Sequence, residues 1–248
     1  MPKSDFSHVS AQRLGNQTAL VTGATRGIGL AIAQALAAQG CNLILTGRDE
    51  KALARASREL ASAKVKPLLH PCDVRDPQSV DDLFRAVRGR FNQLDILINN
   101  AGIAHANYSV DKLPLSIWKD VIDTNLTGTF LITQSALAMM KSGGTIVNNL
   151  SIAANRVFAG SAAYAASKHG ALGLTNTLRE DLRPKGIRVI ALMPGATNTD
   201  IWNSFWPEAP RKQMMLPATI ATAVVNAILL PPNATVETLE ILPTAGML

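Results

Sequence analysis

Residues 18–38 read TALVTGATRGIGLAIAQALAA. An apolar, β-branched run, Thr18–Thr22, leads without a break into a turn holding Gly23, Gly27 and Gly29, and the turn opens directly into a helical apolar pattern. A strand without period-two alternation is covered on both faces, as in a parallel sheet. The G-x-x-x-G-x-G spacing differs from the G-x-G-x-x-G fingerprint yet meets the same needs. Gly23 permits the tight turn off the strand, Gly27 lets the backbone approach a pyrophosphate, and Gly29 lets the helix pack against the sheet. The amides at the helix start then face the phosphates. Gly40 fits the C-terminal cap of that helix.

The alternation continues outward from this unit. Further strands are predicted at 42–46, 65–70, 94–99, 145–150, 187–192 and 238–242, with helices near 27–39, 50–63, 77–90, 114–141, 161–183 and 217–230. The order predicts an α/β protein, a single-domain Rossmann-type doubly wound parallel sheet of about seven strands with right-handed crossovers. No linker, repeat or low-complexity segment divides it, so residues 17–248 read as one domain behind a flexible tail at 1–16.

Composition bounds the function. At 47% hydrophobic and 17% charged residues, the 248-residue chain is too apolar for disorder. Two cysteines in apolar surroundings, Cys41 and Cys72, and an N-terminus with no apolar centre point to a reduced cytoplasmic protein. No apolar run is long enough to span a bilayer. The net charge of +6 is scattered, with no basic cluster and no interleaved aromatics, which argues against nucleic acid. The four histidines lie far apart, so no metal site is expected.

The tip of the second strand carries Arg48, and Arg26 sits in the glycine turn. A dinucleotide site uses an acid there for the ribose 2′-hydroxyl of NAD and a cation for the 2′-phosphate of NADP. Two guanidiniums favour NADP(H) over NAD(H). The alternative is a solvated Arg48, with Asp49 on a ribose or capping the next helix. Further along, AYAASKHGA (163–171) places Tyr164 four residues before Lys168 on a helical run, so both rise from one face.

With strand, glycine loop, NNAG (Asn99–Gly102), Ser151 and Tyr164-x-x-x-Lys168 in order, the chain resembles the short-chain dehydrogenase/reductase family over about residues 17–199. The resemblance implies a cofactor loop in TGATRGIG, including Thr25 and Ile28. It places Asp73 and Val74 beside the adenine, and Asn99, Asn100, Ala101 and Gly102 at the adenosine ribose and central sheet. Pro194, Gly195, Thr197 and Thr199 fall near the nicotinamide. It makes Asn125, Ser151, Tyr164 and Lys168 the catalytic set, with Asn125 as a structural and proton-relay asparagine. Leu150 and Ala154 depart from the pattern, which often has serine and glycine there.

Hydride transfer to a ketone needs a proton donor at the developing alkoxide, and a free tyrosine titrates too high, near pH ~10. An ammonium about 4 Å away, at an effective dielectric near 20, favours phenolate by up to ~4 kcal/mol, partly offset by burial. Lys168 is expected to supply that field and to bond the nicotinamide ribose, while Ser151 holds the substrate oxygen.

The substrate pocket is expected from the segments 103–108, 154–161 and 198–215, with His105, Ala153, Phe158, Trp202 and Trp206 beside Ser151 and Tyr164. The last segment reads as a lid over an apolar small-molecule carbonyl compound or as a subunit contact, and Arg156 as a solvated side chain or a contact for an acidic substrate tail. Helices 114–141 and 161–183 are apolar on more than one side. The resemblance implies that they pair across a homodimer or homotetramer. The expected activity is NADP(H)-dependent carbonyl reduction, in the manner of 3-oxoacyl-thioester reductases or general ketoreductases. An NAD-dependent alcohol, steroid or sugar dehydrogenase and a non-catalytic dinucleotide sensor are the alternatives.

Overall fold

The computed structural model describes residues 14–60 and 66–246. Seven strands, β1 (Thr18–Thr22), β2 (Asn42–Gly47), β3 (Leu68–Pro71), β4 (Ile96–Asn99), β5 (Thr145–Asn149), β6 (Arg188–Pro194) and β7 (Thr238–Ile241), form one sheet. Their order is β3-β2-β1-β4-β5-β6-β7, and every neighbouring pair is parallel. Helices α1 (Gly27–Ala38), α2 (Glu50–Glu59), α3 (Pro77–Arg88), α4 (Leu115–Ile122), α5 (Gly128–Leu137), α6 (Ala162–Leu182) and α7 (Pro217–Ile228) cover both faces. This is the single doubly wound α/β sheet that the strand–helix alternation predicts.

Two apolar clusters sandwich the sheet. Ile32 and Leu36 of α1, Leu53 of α2 and Val224 of α7 pack on one face. Leu83 and Phe84 of α3, Ile132 of α5 and Leu182 of α6 pack on the other. All residues of β1 are buried, which accounts for its unbroken apolar run. Local signals set the helix starts: Asp49 Oδ1 accepts from the Ala52 amide at 3.0 Å, and Asp76 does the same for Gln78 ahead of Pro77.

The last connection departs from the expected right-handed crossovers. β1 to β2 and β6 to β7 step in opposite directions across the sheet, yet α1 and α7 lie against each other on the same face. The two crossovers therefore have opposite hands. The long excursion between β6 and α7 carries the chain over the end of the sheet, and the apolar face of α7 docks on α1.

The predicted helix 114–141 is also broken. A π-helical turn, Asp123–Thr127, separates α4 from α5 and holds Asn125. Ala138–Lys141 lies beyond α5, and the strand predicted at 94–99 begins at Ile96. Residues 61–63 of the predicted second helix, residue 65 of the predicted third strand and residues 1–13 of the predicted tail lie outside the described residues. Leu14, placed in that tail by the sequence, is buried in the core. Cys41 and Cys72 are buried and unbridged, and no described helix is long and apolar enough to cross a membrane.

Candidate active site

A cleft of about 680 Å³ opens over the carboxyl ends of the strands. It lies where the order reverses between β1 and β4, the place at which doubly wound sheets bind ligands. Its floor is built from asparagines. Register sets Asn99 of β4 beside Asn148 of β5. Asn99 Nδ2 donates to Thr133 Oγ1 and to Asn148 Oδ1, both at 2.8 Å, and Asn148 Nδ2 donates to Thr175 Oγ1 at 2.9 Å. The next residue along each strand bonds likewise. Asn149 Nδ2 donates to Asn100 Oδ1 at 2.8 Å, and Asn100 Nδ2 donates to the Thr22 and Gly23 carbonyls at 3.0 and 3.1 Å. The ends of β1, β4 and β5 are thus tied by side-chain amides.

Gly23 has φ +61°, and a Cβ on it would lie 2.9 Å from Ala101 Cα. A Cβ on Gly29 would fall 2.3 Å from Asn100 Nδ2 and 2.4 Å from the Gly23 carbonyl. Gly29 therefore makes room for the asparagine tie, a more specific need than helix–sheet approach. Arg26 precedes α1 without a side-chain cap on the first-turn amides. Uncapped amides at a bare glycine turn fit the phosphates of a dinucleotide.

At the reacting end, the Ser151 hydroxyl is near enough to the Tyr164 phenol to bond its charged form. Ser151 has φ 148° and ψ 163°, a conformation favourable only for glycine, so backbone strain is stored at this residue. Its Oγ also accepts from the Ala153 amide at 3.1 Å. Lys168 is buried, and its Nζ donates to the Asn149 carbonyl at 3.0 Å and stands 5.6 Å from the Tyr164 ring centre. Burial lowers the Lys168 ammonium to about 8. Burial also raises the Tyr164 phenol above its ordinary value, and the Ser151 bond works against it. The expectation that Lys168 brings the phenol toward neutrality is therefore not met, since burial is the largest influence on Tyr164. The ammonium is held by a carbonyl to one side of the ring, and desolvation outweighs it.

Asn125 stands behind the wall. Its Oδ1 accepts from the Ile103 amide at 2.9 Å, and its Nδ2 donates to the Ile103 carbonyl and to Ser167 Oγ, each at 3.0 Å. Both side-chain atoms are thus spent fixing the segment that follows Gly102.

At the end of the cleft formed by β2 and β3, Arg48 is exposed, while Asp49 Oδ1 caps α2. Asp73 is paired with Arg75 at 2.6 Å, which holds its carboxyl below the usual range. Arg26 is paired at 3.5 Å with Asp200, both exposed.

The rim is aromatic. Met215 pairs with Thr197 in an isolated parallel bridge that closes the segment between them. Trp202 Nε1 donates to the Thr197 carbonyl at 2.9 Å, and the ring packs on Phe205 and Trp206 at 4.8 and 6.1 Å between centres. Phe158 and Trp206 are 41% and 39% exposed at the mouth. His105 is buried, its Nδ1 against the Ala106 carbonyl at 2.6 Å and its Nε2 accepting from the Tyr164 amide at 3.4 Å. It thereby supports the first turn of α6, which carries Tyr164. Arg156 is tied to Glu240 of β7 at 2.7 Å, so its guanidinium is engaged with the sheet edge.

Of the residues selected from the sequence for catalysis and binding, all line this one cleft except Gly29, Asn99 and Asn125, which stand behind it, and Arg156, which is turned to the sheet edge. Asn149 and Thr22 were missed. A second asparagine pair, Asn148-Asn149, at the end of an otherwise apolar strand was the signal that could have found the first.

The chain matches the short chain dehydrogenase family over residues 17–210 and belongs to it. A putative ketoacyl reductase of Streptomyces coelicolor is 35% identical, across 93% of this chain and 96% of that protein. A 3beta-hydroxysteroid dehydrogenase of Mediterraneibacter gnavus is 38% identical, across 76% of this chain and 69% of that protein. A solved structure of a variant actinorhodin polyketide ketoreductase with NADPH superposes with TM-score 0.81 at 33% identity, covering 94% of this chain and 98% of that one. The protein is thus a ketoreductase-like member of an oxidoreductase family that acts on CH–OH groups.

Proposed function

We propose that this protein is an NADP(H)-dependent carbonyl reductase that interconverts a ketone and a secondary alcohol. The observation that carries the reading is the pairing of two ends of one cleft: Ser151, Tyr164 and Lys168 at one, and the exposed Arg48 at the other. Asp49, the acid that would suit a ribose 2′-hydroxyl, turns one carboxylate oxygen back to the Ala52 amide as the cap of α2, and the exposed Arg48 beside it would meet a 2′-phosphate.

The glycine turn, Asn100, Gly102, Lys168 and Thr197 would hold the dinucleotide, which supplies the hydride when bound. Ser151 and Tyr164 line the same part of the cleft, and a substrate oxygen held there would accept from both hydroxyls. Tyr164 gives its phenolic proton to that oxygen as the carbonyl carbon gains hydride, yielding the alcohol. Lys168 keeps its ammonium beside the phenol and stabilises the phenolate left behind. Asn125 would act by holding Ile103 and the chain around the site, with proton relay through its neighbourhood as the further role.

The aromatic mouth suits an apolar substrate. A dehydrogenase of bulky apolar alcohols is the second reading, favoured by Phe158, Trp202 and Trp206 and by the hydroxysteroid dehydrogenase relative. Exposed apolar side chains on α4 and α5, Leu115 (69%), Trp118 (38%) and Phe130 (45%), support self-association through these helices, and sedimentation at several concentrations tests it. The activity is tested by following NADPH and NADH oxidation in parallel against ketoacyl thioesters, ketosteroids, quinones and diketones. Faster turnover with NADPH on at least one class is expected. Preference for NADH removes the role given to Arg48, and coenzyme binding without turnover on any class favours a sensor.

A further inference from the structure

Asn149 Oδ1 is buried at the cleft and has no hydrogen-bond partner among the described residues. Its direction is fixed by the bonds behind it. The Thr22 and Gly23 carbonyls can only accept, so the group that Asn100 turns toward them is its nitrogen. The Asn100 oxygen then faces Asn149, and only the Asn149 nitrogen can make that 2.8 Å contact. Turning the Asn149 amide over would set oxygen against oxygen. The free acceptor is therefore held away from Asn100 by a network that ends on backbone carbonyls.

A second free oxygen, Asn99 Oδ1, offers a contrast. Asn99 lies off the cleft, beside Thr22, Val74 and Gly128. Asn149 lines the cleft itself, its own carbonyl holds Lys168, and it precedes Ser151 by two residues. A buried carbonyl oxygen without a donor is costly to leave so, and the cleft's ligand is what can bring one.

We infer that Asn149 is a coenzyme-binding residue: its side-chain oxygen accepts a hydrogen bond from a hydroxyl or carboxamide N–H of the nicotinamide half of the dinucleotide. This rests on the dinucleotide reading above. The same side chain holds Asn100 and, through it, the Gly23 turn, so one amide serves the reacting end directly and the phosphate end through a neighbour.

The test is equilibrium binding to the whole protein, with no turnover required. NADPH, NADH and the adenosine bisphosphate fragment of NADP are titrated into wild type and Asn149→Leu. The expected result is an approximately tenfold weaker Kd for the preferred dinucleotide, the loss of one hydrogen bond, with fragment binding unchanged. Equal weakening of dinucleotide and fragment would mean that the substitution acts by moving the Gly23 turn through Asn100, and would overturn the proposal. An unchanged dinucleotide Kd would overturn it too. Failure of wild type to bind either dinucleotide would instead sink the function proposed above. If Asn149→Leu does not fold, Asn149→Ala removes the same oxygen without added bulk and is read the same way.

Discussion

The floor and the rim of the cleft are built on different principles. The floor joins the ends of β1, β4 and β5 by side-chain amide bonds of 2.8–3.1 Å, from Asn99 to Asn148 and from Asn149 through Asn100 to Gly23. Two contacts that tie the rim segment around Asp200–Phe205 to its surroundings are long and exposed: Arg26 to Asp200 at 3.5 Å and Asn107 Nδ2 to the Phe205 carbonyl at 3.4 Å. A network of paired amides in a dry place is stiff, because turning any one of them over sets oxygen against oxygen or nitrogen against nitrogen. An exposed contact of that length costs little to break. The floor therefore sets the reaction, and the rim sets what is admitted to it.

The comparison breaks most sharply at Tyr164. On the proposed function, Tyr164→Phe lowers kcat on the order of 10³-fold, while dinucleotide affinity in a fluorescence titration stays near wild type. Retained turnover would take the phenol out of the chemistry. Gly29→Ala probes the floor's packing. The added Cβ would meet Asn100 Nδ2 at 2.3 Å and the Gly23 carbonyl at 2.4 Å, so we expect a loss of about 2–4 kcal/mol in denaturant melts and weaker coenzyme binding. Gly173, where a Cβ meets nothing within 4 Å, is the control: Gly173→Ala leaves the melt unchanged or higher.

Lys168 sharpens the floor's electrostatics. Its ammonium titrates at about 8 when folded, against 10.5 as the reference value. Between those pH values the unfolded chain carries the extra proton, so the stability of wild type relative to Lys168→Met rises with pH. The rise is on the order of 3 kcal/mol, read from urea melts at pH 7.5 and 10.5. A flat difference would mean that Lys168 is not desolvated. Reductive turnover is expected to fall as pH passes about 8, where the ammonium is lost. The smallest effect belongs to the rim. Trp206→Ala, at a side chain 39% exposed, is expected to raise KM for an apolar ketone roughly threefold to tenfold and leave kcat within about twofold. A large fall in kcat would show the rim acting in the chemistry.

The fold was legible because strands buried on both faces announce themselves as unbroken apolar runs, as at Thr18–Thr22, and glycines mark the turn between strand and helix. The break at Asp123–Thr127 was not legible. Its residues carry ordinary helical sequence, and the turn holds Asn125 against the Ile103 backbone, a partner 22 residues away that lies just beyond β4. Asn149 was passed over for a similar reason. Next to Asn148 it reads as one more polar residue at a strand end, and only register beside β4 gives it Asn100 as a partner.

The sequence by itself determined the doubly wound parallel sheet, the family and the identity of the residues gathered at the cleft, since these follow from hydrophobic period and from motifs a few residues long. The tertiary structure decided the hand of the last crossover, the raised Tyr164 phenol, the engagement of Asp49 and Arg156, and the direction of the Asn149 oxygen. Each of these depends on burial or on partners brought together from distant parts of the chain, and desolvation and hydrogen-bond geometry are properties of neighbours in space.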